Sequence, residues 1–109
     1  MLLKSISICL CLTDIMQVDA IDRQIRLFQS LSSVPRMRIL NLLLLTEKPV
    51  HIKGISRTLK LDYAATYRHI ENLKKANLIS IYEVGRSRVP YVNRKSEVKA
   101  LIEATTKLI

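Results

Sequence analysis

The sequence predicts a small, mainly helical domain carrying one β-hairpin. Three observations predict it. Apolar residues recur at helical spacing over most of the chain. The period drops to two only between Leu78 and Val92. Just two glycines and three prolines interrupt the 109 residues, too few turn residues for a sandwich or barrel. The length suits one domain, and a hydrophobic content of 49% is enough for a single core.

Residues 2–12, LLKSISICLCL, are an apolar run too short to span a bilayer, which takes ~20 residues. Only Lys4 precedes its centre and no small-x-small cleavage pattern follows, so it makes a poor export signal. Met16 lies just before the first well-patterned helix. The run reads either as an over-long start or as a strand or helix packed at a dimer interface, and residues 1–18 stand as an N-terminal extension without assigned structure. From Asp19 to Ser33, Ile21, Ile25, Leu27, Phe28 and Leu31 keep a helical period, with Asp19 or Asp22 as the cap. Pro35, after Ser32 and Ser33 as cap candidates, opens a second helix, RMRILNLLLLT. It is apolar nearly all round and therefore central to the core.

Thr46 to Pro49 is a turn, and Val50-His51-Ile52 is a brief strand or the entry to the next helix. Lys53 to Leu59 form a short helix with Ile52, Ile55 and Leu59 inward. Asp62 caps a longer one reaching about Ala76, with Thr66, Ile70 and Leu73 inward. Asn77 tolerates the left-handed conformation that ends many helices. Leu78–Val84 and Val89–Val92 alternate as strands around Gly85-Arg86-Ser87-Arg88, and Pro90 marks an edge or a bulge. Ser96 caps a last helix striped by Val98, Leu101, Ile102, Thr105, Leu108 and Ile109. The predicted order is α-α-β-α-α-β-β-α. Residues 19–94 form the body, and residues 95–109 a C-terminal helix suited to dimerisation.

Charge narrows the function. Eighteen Lys and Arg against nine Asp and Glu leave +9, a surplus that suits a polyanionic partner. Nucleic acid is the first such partner and an anionic membrane the second. Cys9 and Cys11 are the only cysteines. Two residues apart, they cannot readily close a disulfide, which points to free thiols and a cytoplasmic setting. There is no Gly-rich phosphate loop, H-E-x-x-H or nucleophile elbow, so an enzyme is not expected.

Two short helices joined by a tight turn and followed by a basic hairpin make a winged helix-turn-helix. One helix must then enter the DNA major groove with its outer face. On 62–76 that face carries Tyr63, Ala64, Tyr67, Arg68 and Glu71. Arg68 suits guanine or phosphate, the tyrosines offer hydroxyls to phosphate and rings to thymine methyls, and Ala64 permits close approach. At the hairpin tip, alternation puts Arg86 and Arg88 on one side around Ser87, so that both act on the backbone or a minor groove. Arg57, Arg36, Lys53 and Arg38 are weaker phosphate candidates. Double-stranded DNA is the expected partner, with a nonspecific DNA-, chromatin- or RNA-binding role as the alternative.

From Phe28 to Val92 the chain resembles the ArsR-like winged-helix regulators. LFQSLSSVPRMRILNLLL is similar to the family's L-L-x-x-L-S-x-x-x-R-x-x-I-L-x-x-L, and LDYAATYRHIENLKKANLI to its L-S-x-S-x-V-S-R-H-L-x-x-L-x-x-A-G-L-V. Arg36, Ile39, Leu40, Arg68, His69, Leu73, Ala76 and Leu78 fall on those positions. Tyr63 and Tyr67 stand where Gln or Ser is usual, and Asn77 replaces Gly, so the DNA sequence recognised cannot be carried over. The resemblance implies a homodimer joined through the first and last helices that binds palindromic operators as a repressor. It also implies metal sensing in several members, through C-x-C at the start of the third helix. Here that region reads VHIKGIS, and the terminal helix lacks His or paired carboxylates. No metal, cofactor or small-molecule effector is therefore expected, and His51 and His69 read as structural.

Overall fold

The computed structural model describes residues 20–109; the 1–18 extension with Cys9 and Cys11, and the cap candidate Asp19, lie outside them. Within the described residues α1 covers 20–31. It is followed by α2 (Val34–Leu45), α3 (Ile52–Leu59), α4 (Tyr63–Lys75), β1 (Ile79–Val84), β2 (Ser87–Val92) and α5 (Lys95–Leu108). Every predicted helix forms.

The predicted strand at Val50-His51-Ile52 does not. Among the described residues the sheet has two strands, β1 and β2, and Ile52 already belongs to α3. His51 explains the difference: its Nδ1 accepts a hydrogen bond from the Gly54 amide at 2.9 Å, capping α3. A β-branched triplet looks extended until one of its side chains satisfies an orphan helix amide. Ser96 likewise does not cap α5. Arg94 precedes the helix in a left-handed conformation without a side-chain cap bond, while the Ser96 hydroxyl donates to Glu97 Oε2 at 3.3 Å.

The core forms where α2, α3 and α4 meet the base of the hairpin. Ile39, Leu40, Ile52, Ile55, Ile70, Leu73 and Ile79 are fully buried there. The turn between α3 and α4 is closed by hydrogen bonds. Lys60 turns left-handed, at φ 55°, while its amide reaches the Arg57 carbonyl and the Leu61 amide the Ser56 carbonyl. Asp62 then caps α4, its carboxylate accepting from the Ala65 amide at 3.3 Å. At the other end Asn77 is left-handed, at φ 63°. The Leu78 amide returns to the Leu73 carbonyl at 3.1 Å and the Asn77 amide to the Lys74 carbonyl at 3.0 Å. That is the 6→1 and 5→2 pattern of a Schellman end, and the accompanying apolar pair, Leu73 and Leu78, is buried. Alpha-4 is thus fixed at both ends and along one face.

The hairpin is antiparallel, with Ile79 opposite Val92 and Val84 opposite Ser87. That register leaves Gly85 and Arg86 as a two-residue turn. Gly85 supplies the positive φ, 62°, that a tight turn matched to the strand twist requires. Pro90 lies in β2 opposite Ile81, on a strand with one open edge, where its missing N–H costs no ladder bond. The first and last helices bury only part of their apolar faces. Leu27, Leu31 and Ile102 pack against the core, whereas Ile21, Ile25 and Phe28 are 51%, 48% and 53% exposed.

Candidate nucleic-acid interface

The buried residues of α4 are Thr66, Ile70 and Leu73. Helical spacing then sets Ala64, Arg68, Glu71 and Lys75 along the opposite ridge. Ala64, Arg68 and Lys75 are exposed and Glu71 is half-buried. Tyr63 and Tyr67 flank this ridge on the hairpin side, and His69 and Asn72 on the other. The 13-residue helix is about 20 Å long, and its outward side chains are mixed in charge and size.

An open cleft of about 470 Å³ lies beside the ridge, lined by His51, Lys53, Tyr63, Arg86, Ser87 and Arg88 among others. The structure therefore brings Tyr63 together with Arg86, Ser87 and Arg88 of the hairpin tip. The two arginines are not equivalent, however. Arg86 sits in the turn and is exposed. Arg88 lies over the Tyr67 ring, 5.5 Å from its centroid, donates a hydrogen bond to the Tyr67 hydroxyl and stands 3.7 Å from the Glu83 carboxylate. Arg88 thereby braces the hairpin against α4, a role that alternation alone did not reveal.

Arg57 is exposed on α3 and does not line this cleft. Arg36 is placed apart as well. It is half-buried and lines a separate cleft with Arg26, Gln29, Asn72 and Lys75. Its Nε is buried without a hydrogen-bond partner among the described residues, as is His69 Nδ1. Lys75, Asn72 and Arg26 were not singled out from the sequence. Following the same ridge from Arg68 by three residues to Glu71 and four more would have found Lys75.

His69 titrates below the ordinary histidine value. Burial is the main cause, and the positive charges of Arg36 and then Arg68 add to it. The folded state therefore resists protonating His69, while the unfolded chain accepts the proton near pH 6.5. Stability should fall as pH drops below about 6.5 and level off beneath the folded-state value. Urea unfolding at pH 8 and pH 5 checks this: His69→Gln should lose less stability on acidification than the wild type. Identical losses would mean that His69 does not contribute.

No protein-family model matches the chain, and no curated sequence does. Solved structures do. A homodimeric winged helix-turn-helix DNA-binding domain from Mycobacterium bovis, a possible ArsR-family transcriptional regulator, superposes with a TM-score of 0.74 at 16% identity, over 84% of each chain. Reduced HlyU from Vibrio cholerae gives 0.69 at 21% identity, over 88% of this chain and 96% of its own. NolR from Sinorhizobium fredii gives 0.71 at 15%, over 85% and 90%. The chain has the winged helix-turn-helix fold. In this winged helix α3 and α4 are the helix-turn-helix pair and β1–β2 the wing. The fold likeness agrees with the resemblance read from Arg36 through Leu78. Among the described residues no three His, Cys, Asp or Glu side chains gather as a metal site, and no helix is long and apolar enough to cross a membrane.

Proposed function

We propose that this protein is a cytoplasmic, sequence-specific double-stranded DNA-binding regulator that acts as a homodimeric repressor and carries no catalytic activity. One observation carries the reading. Ala64 and Arg68 stand on the outward ridge of a helix whose opposite face and both ends are fixed, with Tyr63, Tyr67 and an arginine-tipped wing alongside. A rigid helix with a small residue and a bidentate donor at its leading turns suits base edges in the major groove. Arg86, Ser87 and Lys53 take the neighbouring phosphates, and Arg57 reaches the backbone beyond them. Arg88 acts mainly by holding Tyr67. Arg36, set against His69, serves the far side of α4.

The dimer rests on a strip of exposed Ile21, Ile25 and Phe28 on α1, together with half-buried Leu101 and exposed Leu108 on α5 and Ile109 just beyond it. Leu108 and Ile109 are 86% and 104% exposed. A second copy covering this strip by two-fold symmetry would set two recognition helices side by side. The Mycobacterium bovis domain, itself homodimeric, supports a dimer.

Selection of bound duplexes from a random pool tests the function. The expected result is a palindromic site whose half-sites are one helical turn apart, about 10–10.5 base pairs between centres. With roughly 6–10 phosphates contacted, affinity should fall ~10³-fold or more between 50 and 200 mM salt. Recovered duplexes with no shared sequence would instead establish nonspecific binding.

A further inference from the structure

Alpha-4 stands between two cationic clefts, of which only one belongs to the wing. The other runs between α1 and the C-terminal half of α4. Arg23, Arg26 and Lys75 line its first part, with Ala76 and Asn77. It continues through Arg26, Lys75 and Ala76 to Arg36 and Asn72. Among the described residues, none that lines either part is acidic. The nearby Asp22 pairs with Arg26 at 3.0 Å, but both side chains are largely exposed, so solvent screens the pair and leaves the groove's field positive. Lys75 belongs both to this groove and to the outward ridge.

Duplex geometry gives that placement a meaning. The major groove is about 12 Å wide, and a helix with its side chains is about 10–12 Å across. A helix lying in the groove therefore fills it, and each flank meets one of the two phosphate strands at the groove's lips. On α4 the wing side offers Lys53 and Arg86 to one strand. We infer that the groove between α1 and α4 seats the other sugar-phosphate strand, with Arg26 and Lys75 as its principal contacts and Arg36 behind them. The inference rests on the DNA-binding reading and extends it from one strand to both. It is compatible with the proposed dimer, because helical spacing puts Arg26 on a different side of α1 from Ile21, Ile25 and Phe28. The groove stays open when that strip is covered.

The test uses the full chain and the duplex recovered by selection. Phosphate-ethylation interference is compared for the wild type, Arg26→Gln/Lys75→Gln and Arg86→Gln. For the wild type, interfering phosphates are expected on both strands of each half-site. The double variant should lose those of one strand only and keep its base preference. Its salt slope should fall by roughly 2, near 0.9 per phosphate contact removed. Arg86→Gln should lose phosphates on the opposite strand. All replaced side chains are exposed, and unchanged circular dichroism verifies the fold. A double variant with the wild-type slope and interference pattern, while Arg86→Gln still weakens binding, overturns the second-strand seat and leaves the DNA-binding reading standing. A wild-type protein that gives no interference pattern on any duplex overturns both.

Discussion

Aspartate at both Ile25 and Phe28 is expected to leave the chain folded, to convert it to monomers and to cost ~10²–10⁴-fold in affinity for a two-half-site duplex. The side chains are about half exposed and lie outside the buried cluster that holds α2, α3 and α4 together. Charging them removes little from the monomer's own core. In a two-fold dimer the same positions meet their copies, so four carboxylates would enter one apolar seam, where unpaired charge is strongly unfavourable. Loss of the dimer removes the effective concentration that makes the second half-site's binding intramolecular, which sets the size of the DNA effect. Sedimentation velocity and a titration of the selected duplex read the two consequences separately. A variant that sediments as the wild type does would place the seam elsewhere.

Arg68→Ala is the second large effect. Truncating a side chain that pairs bidentately with a base should cost ~1–3 kcal/mol on the preferred site and relax the preference at one position per half-site. Arg86→Ala, at the exposed turn of the wing, should weaken every duplex by a similar factor and reduce the salt slope by about 1. The contrast between the two variants carries more weight than either loss. Arg88→Ala should behave more like Arg68→Ala than like Arg86→Ala, because Arg88 stacks on Tyr67 and bonds its hydroxyl. Freed of that brace, Tyr67 loses its fixed position beside the ridge. Competition binding against the selected duplex and a scrambled one distinguishes these outcomes.

Much of the fold was legible because its signals are local. Thr66, Ile70 and Leu73 mark the inner face of α4 by spacing alone, and Asp62 and Asn77 mark its ends by side-chain chemistry. The hairpin was legible from the change of period and from Gly85. Where expectation failed, the deciding interaction lay outside the pattern. Val50-His51-Ile52 has the composition of a strand, but the His51 imidazole reaches the Gly54 amide and starts a helix instead. Ser96 is a favourable cap type, but the backbone at Arg94 turns the chain two residues too early to use it. The candidate site was legible on α4 and at the wing tip. Two of its features were not. The brace from Arg88 to Tyr67 spans 21 residues, and the cleft that joins Arg26 to Lys75 exists only once α1 packs beside α4. No spacing rule connects residues so far apart.

The central claim is that α4 turns its Ala64–Arg68–Lys75 ridge toward DNA with the wing beside it. Amide chemical-shift mapping during titration with the selected duplex measures this directly. The largest changes should fall on Tyr63 through Lys75 and on Gly85 to Arg88, with α5 nearly silent. Changes concentrated on α5 and the Ile21–Phe28 strip, with the ridge unmoved, would contradict it.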